Sequence, residues 1–348
     1  MGKIELDHTG SGSGVTLSSD GTDLLLDGTA IGGGGGAALE LYAENPSSPT
    51  APSATGGNAV AIGSGASATN LHAISIGRNT TATGIYALSL NGNAVPTYSA
   101  AIGYNSAGGR ATTATGQGSH AFGGSYASGT DSFAAAIANN TSSYGATGAN
   151  SVAMGQSAKT SSTEAIALGP YTQATANAAV SIGAFSDATA QRGFALGNYA
   201  KAGSIGKFAF SNQRYAAVGD TQGGLYVLRQ QTNNATPIAL TTDSGGTPSS
   251  TQIILPSGSA YAFTGTIVAK QLSSSNAAAW EVKGLIVNQG GTTTLTNSAT
   301  TVISNTPSWG MALSADDTND ALAITVTGAA STIIRWVANI QTSEVSIA

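Results

Sequence analysis

At 348 residues the chain has room for two or three domains, yet only 8% of it is charged, and Gly, Ala, Ser and Thr dominate. That composition suits thin, repetitive β structure packed through small side chains, and it excludes a long helical bundle. Twelve basic residues against seventeen acidic ones, with no basic cluster, leave no footprint for nucleic acid, and the lack of cysteine excludes disulfide scaffolds and thiolate metal sites.

Residues 1–30 alternate short apolar pieces (Ile4 and Leu6, Val15 and Leu17, Leu24 and Leu26) with Gly and Asp turns, which predicts two or three short strands in hairpins. An isolated hairpin is marginal in water, so this segment is expected to gain its order from neighbouring chains or a docking partner. Glu5, Asp7, Asp20, Asp23, Asp27, Glu40 and Glu44 are opposed only by Lys3, an acidity that reads as an attachment signal or as a solvated face. No positively charged lead into an apolar run marks a secretory signal, and no apolar run approaches the ~18 residues of a membrane span. The chain is therefore expected to be soluble, made in the cytoplasm and without membrane insertion. Residues 31–56, with Gly32 to Gly36 and then Pro46, Pro49 and Pro52, read as a linker. The glycine run lacks the following Lys and Ser/Thr of a phosphate loop.

From residue 57 to 203 a five-residue signature (small, apolar, small, apolar, turn) recurs ten times. The copies are Ala59 to Gly63, Ala73 to Gly77, Ala87 to Asn91, Ser99 to Gly103, Ser119 to Gly123, Ala134 to Ala138, Ser151 to Gly155, Ala165 to Gly169, Ala179 to Gly183 and Gly193 to Gly197. Most steps are 14 residues, which is a solenoid period. Successive strand residues point to opposite faces, so one face carries pairs such as Val60/Ile62 and Val180/Ile182 while the other is Ala or Ser. Neither face is polar. One is expected inside a coil and the other against an identical copy, the small side chains allowing close approach. A second, more polar strand completes each rung, and ten rungs at the sheet spacing make a rod of about 45 to 50 Å.

The phrases Asn58-Ala-Val-Ala-Ile-Gly-Ser-Gly-Ala-Ser-Ala, Asn150-Ser-Val-Ala-Met-Gly-Gln-Ser-Ala and Glu164-Ala-Ile-Ala-Leu-Gly resemble the head repeats of trimeric autotransporter adhesins, the YadA-like β-roll. The resemblance covers residues 57 to 206 and departs from the pattern between Asn91 and Asn150. It implies a left-handed parallel roll in an intertwined homotrimer, and related repeats in phage tail fibres extend the implication to virion fibres. On this reading Ile62, Ile76, Leu90, Ile102, Phe122, Met154, Leu168, Ile182 and Leu196 form the core of roll and trimer.

Two features of the roll carry candidate ligand contacts. Tyr171, Phe185 and Tyr199 recur two residues after the turn residue, on the outside of consecutive rungs, as a glycan-gripping face or as a stack that stiffens the rod. The enlarged turns offer Tyr104 and Arg110 in the first and Tyr144 in the second. His120 is expected to point inward, as a satisfied core histidine or, in three copies about an axis, as a ligand for an ion or water.

Residues 204–250 lose the period and read as a neck with strands at Lys207 to Phe210 and Gly224 to Leu228. From Thr251 about seven antiparallel strands predict a β-sandwich of jelly-roll type. Parity puts Trp280, Trp309 and Trp336 in its core, and Asp316, Asp317 and Asp320 lack the spacing of a calcium loop. Three phrases here, beginning at Tyr261, Ala279 and Trp309, look similar to a terminal domain of fibre-like phage virion proteins.

No catalytic constellation emerges from His8, His72 and His120, and no cofactor is implied. The whole reads as an all-β trimeric phage fibre, attached to the particle by its N-terminus and meeting a host surface glycan or protein. A structural capsid decoration and a bacterial surface adhesin are the alternatives.

Overall fold

The computed structural model describes residues 50–103, 111–135, 143–243, 248–272, 274–305 and 307–347, together with four short strands near the start. Those strands, Ile4–Leu6, Val15–Ser19, Leu24–Leu26 and Thr29–Ile31, pair antiparallel in chain order, one more than the sequence pattern suggested. Tyr104, Arg110, His8 and the run Gly32 to Gly36 lie outside the described residues.

The roll begins at Ser53–Ala54 and winds as a parallel solenoid. Each rung has one strand of three to five residues, as in Val60–Ile62, and one of two residues, as in Ser67–Ala68. The long strands stack in parallel register, Val60 on Ile74 and Ile166 on Val180, each 14 residues apart, and the short strands form a second sheet. Between them run two columns of corner residues in left-handed conformation, each N–H donating to a carbonyl one rung back, as from Tyr171 to Gln156 and from Glu164 to Ala149. The glycine that ends most signatures is fixed by the same stacking: Gly183 has φ 126°, and a Cβ there would lie 1.8 Å from the carbonyl oxygen of Gly197.

The roll is inside out relative to the expectation. Its interior holds the small residues: Ala61, Ala73, Ala87, Ala101, Ala121, Ala153, Ala167 and Ala195 are buried against Ala68, Ala82, Ala94, Ala174, Ala188 and Ala202 of the short strands. The two sheets of so flat a coil approach to within the reach of hydroxyl pairs, Ser75 with Thr80 and Thr172 with Ser181, both at 2.9 Å. An Ile or Leu has no room there. Ile62, Ile76, Leu90, Ile102, Phe122, Leu168 and Ile182 are therefore half-exposed on the outer face, and Met154 and Leu196 are 44% and 39% exposed. His120 sits on that outer face too, exposed rather than inward.

One repeat also shifts. The strand is Phe133–Ala135, with Ala134 on Ala121, so the copy starts at Ser132 and not at Ala134. Buried Ser132 and Ala134 fill the interior positions, while Phe133 packs on Phe122 outside, ring centroids 5.5 Å apart.

The neck is not a separate piece. Phe208–Ser211 is the last parallel strand of the roll, and Thr221–Thr232 pairs antiparallel with it and with Ile334–Ser346. Through these two strands the roll's long-strand sheet continues without a break into Ser259–Gln271, Ala277–Gln289 and Thr292–Ser304, sixteen strands in all. A small sheet of Gly310–Asp316, Ala321–Thr327, Ile238–Ala239 and Ile253–Ile254 covers its far end. Ser259–Gln271, Ala277–Gln289 and Thr292–Ser304 form a meander, and Ile334–Ser346 returns beside the first of them, so the C-terminal unit is two antiparallel sheets. Its core contains all three tryptophans, Trp336 lying between Trp280 and Trp309 at 5.8 Å from each. Trp336 Nε1 donates to Thr232 Oγ1 at 3.0 Å.

Candidate functional site

Three surfaces have the chemistry to meet a partner. The first is the outer face of the long sheet. Cross-strand pairs put Phe208 and Phe210 on the same side as Leu225 and Gly223, then Val227 beside Asn339, Val337 beside Val268, and Ala262 beside Leu285. The apolar stripe of the roll thus runs as far as the junction, with Val60, Ile74, Met154, Leu196 and Phe210 exposed along it. Beyond it the same face is mixed, exposed Val227, Val268 and Val337 alternating with Asn339, Gln341, Thr264, Thr266, Glu281 and Lys283. A groove of about 540 Å³ opens where Phe208 and Phe210 meet the small residues Gly223, Ala262 and Ser343.

The second surface is the pair of corner columns. Tyr171, Phe185 and Tyr199 stack as one ladder, at 4.9 and 5.0 Å between centroids and 5° and 13° between planes. The Arg214 guanidinium lies over Tyr199 at 4.1 Å and closes the end of the stack. The opposite column holds a ladder that the sequence reading missed: His72, Tyr86 and Tyr98, at 4.8 and 5.5 Å and 13° and 8°. All six rings sit at left-handed residues, φ 55° to 61°. The signal was available, because 72, 86 and 98 precede three successive signatures by one residue. Within each ladder the ring faces cover one another, so a sugar can stack only at an open end. Tyr144, in the second enlarged turn, is exposed beside the column that holds Tyr171.

The third is the junction between roll and C-terminal unit. Lys207, at the last rung, donates to Glu344 at 2.5 Å, with both side chains almost fully buried. Glu344 also accepts from Gln222 at 2.8 Å and Thr342 at 2.7 Å, and Tyr226 donates to it at 3.4 Å. Burial pulls the Lys207 ammonium below the usual lysine range, against the pull of Glu344. Burial first, and the Glu344 charge second, push Tyr226 and Tyr261 well above the ordinary phenol range. Burial works against the Asp220 charge as well, but N–H donors from Ala216, Ala217 and Tyr215 and the Thr221 hydroxyl outweigh it and hold its pKa low. An adjoining cavity of about 510 Å³ is lined by Lys201, Lys207, Gln222 and Tyr261.

The three C-terminal aspartates are occupied by local bonds. Asp316 accepts from Asn319, Asp317 from the Thr293 N–H, and Asp320 from the Thr293 hydroxyl.

The YadA head domain repeat matches residues 54–80, 68–90 and 146–172, so the chain carries repeats of that type. No curated protein matches the sequence. Two solved structures share faint similarity. One is a tailspike protein, gp49, from Acinetobacter baumannii bacteriophage Fri1, a capsular polysaccharide depolymerase; it is 9% identical, covers 83% of this chain and 42% of its own, and has a TM-score of 0.23. The other is the tailspike of Acinetobacter phage vB_ApiP_P1, 10% identical, covering 62% and 51%, with a TM-score of 0.18. The chain spans about half the length of these proteins or less, and superpositions at this level carry no argument.

Proposed function

We propose that three copies of this chain form a fibre of a bacteriophage particle that contacts the bacterial surface, the N-terminal strands attaching to other virion proteins. One observation carries the reading: an apolar face runs along the long strands of the roll, from Val60 to Phe210, on the outside of a single chain whose own interior is already filled by alanine. So large an apolar surface on a sparsely charged molecule calls for a protein partner, and a chain with a regular repeat supplies one in its own copies. Three apolar faces meeting about an axis would bury Ile62, Ile76, Leu90, Ile102, Phe122, Met154, Leu168, Ile182 and Leu196 together. The roll is then a stiff spacer, and the corner ladders and C-terminal unit remain outside to meet a glycan or protein. Three copies per fibre and several fibres per particle turn weak contacts into firm adhesion.

The fibre is a binder rather than an enzyme in this proposal, since the buried carboxylates of Glu344 and Asp220 are occupied by internal donors. Polysaccharide turnover by the purified protein would contradict that part. A bacterial surface adhesin is the second reading, favoured by the matched head repeats. Immunogold labelling of phage particles separates the two.

Sedimentation of the purified protein tests the assembly. The expected result is a trimer, and Ile182→Asp should yield unassembled chains because the half-buried Ile182 would bring a charge to the axis. A monomeric native protein, or a well-assembled Ile182→Asp trimer, would overturn the proposal.

A further inference from the structure

The ring stacks leave one face open with a polar group beside it. In the column that begins with His72, each corner residue lies one rung beyond the last: Tyr98 bonds back to Ile85, Gly118 to Thr97, and Asp131 to Gln117. Tyr86 covers one face of Tyr98, and beyond the other face the next corner residue is Gly118, which has no side chain. The Asp131 carboxylate is folded back over that glycine: a Cβ on Gly118 would lie 2.2 Å from Asp131 Oδ1. Among the described residues this carboxylate makes no ion pair and accepts no side-chain bond. Tyr98 is 58% exposed, the most open ring of the two ladders. The other ladder lacks this arrangement, because Arg214 closes its Tyr199 end and the Tyr171 end faces buried Ser157.

We infer that Tyr98, Gly118 and Asp131 form a saccharide subsite, in which a pyranose ring lays its apolar face on Tyr98 and donates a hydroxyl to the Asp131 carboxylate. A flat apolar platform with one acceptor beside it matches the two-sided chemistry of a sugar, and a charged acceptor strengthens the hydrogen bond. Gly118 is required, since a side chain there would collide with the Asp131 carboxylate and drive it from its place beside the ring. The column continues outward with Asn150 and Glu164, both exposed, one rung apart in turn. A glycan running along the fibre edge would therefore meet Asp131, Asn150 and Glu164 in succession. Two carboxylates in that path select neutral or amino sugars and repel uronic and sialic acids. The inference rests on the proposed host-contacting role and names the class of ligand for it.

The test uses the intact purified protein on an array of bacterial surface oligosaccharides, and in parallel the fluorescently labelled protein on a panel of bacterial strains. Binding to a neutral or amino-sugar glycan is expected, weakened by about ten-fold or more in Tyr98→Ala and Asp131→Ala and close to unaltered in Tyr98→Phe. Sedimentation of each variant establishes that assembly is intact. If a glycan binds but Tyr98→Ala binds it equally well, the subsite is wrong and the host-contacting role stands. If cells are coated but no array glycan binds, the saccharide class is wrong. If neither glycans nor cells are bound, both readings fall. Nitration of the native assembly with tetranitromethane adds a further arm. Modification of Tyr98 supports an open ring, and protection of Tyr98 until unfolding would mean that another copy covers it, which overturns the inference.

Discussion

Ala167 and Leu168 are neighbours on one three-residue strand, and the flat roll assigns them opposite tasks. Ala167 is fully buried between the two sheets, where facing alanines leave space for a methyl group and no more. Ala167→Leu should overpack this interior and lower stability by about 1–3 kcal/mol, read from denaturant unfolding of the assembled protein. Leu168→Ala removes a half-exposed group and should leave the fold of a single chain intact while loosening the proposed trimer, read as a concentration-dependent loss of that assembly. Equal effects of the two variants would refute the division of faces. Alternation along the strand was legible in the sequence, and so was the apolar character of both faces. Which face is inside was not, because parity is symmetric and the deciding quantity is the distance between sheets. The same limit hid the true copy at Ser132, where the run Ala134-Ala-Ala-Ile-Ala mimics the signature and only the packing of Phe133 on Phe122 fixes the register.

At the level of elements, the junction strands decide how the roll is joined to the C-terminal unit. Lys207 comes from the roll and Glu344 from the last strand, 137 residues later, so their buried ion pair ties the last rung of the roll to the C-terminal strand across Thr221–Thr232. Removing one partner leaves a charge in a dry site. Glu344→Gln should therefore cost about 3–5 kcal/mol, measured by thermal or urea unfolding near pH 7, whereas the double change Lys207→Met with Glu344→Leu should cost less than either single change. A double variant as damaged as the sum of its singles would show that the pair does not act as a unit. Tyr226 and Tyr261 add a dependence on alkaline pH. Their folded pKa values are raised, so native chains keep phenolic protons that unfolded chains release; the stabilisation is complete below pH about 10 and is lost as pH climbs from there toward the folded values. Unfolding should steepen above that point, and Tyr261→Phe should make the alkaline limb shallower. The strands of this region were readable from alternation, including the inward tryptophans. The continuity of one sheet from roll to tip was not, since hydrogen-bonding between Phe208–Ser211 and Thr221–Thr232 leaves no periodic trace in either segment.

For the whole molecule, the consequence of a parallel roll is that its length is a free variable and its register is not. The strands of both sheets stack with equivalent residues in register, mostly 14 residues apart, and the corner bonds repeat at the same step. Stability of such a stack is a sum of rung and nearest-neighbour terms, so removing a complete rung costs one interface's share and leaves every remaining contact type intact. Deleting residues 164–177 brings Ala178 into the corner position of Glu164 and Phe185 into that of Tyr171. The prediction is a protein that still assembles, with a roll shorter by about 4.8 Å per rung removed. Deleting half as many residues, 164–170, would set short strands against long ones, move Val180 and Ile182 to the short-strand face and put Gln173 and Thr175 in the outer positions of Ile166 and Leu168, which breaks the apolar stripe. That variant should fail to assemble. Sedimentation and thermal melting of the two deletions against the full chain give the comparison directly. A full-rung deletion that unfolds, or a half-rung deletion that assembles, would show that the roll is held by specific side-chain contacts along its length and not by its repeating geometry. If the geometry does govern, three copies in the proposed trimer would share one register only if something outside the roll set it, and the C-terminal unit, with its non-repeating core of Trp280, Trp309 and Trp336, is suited to do so.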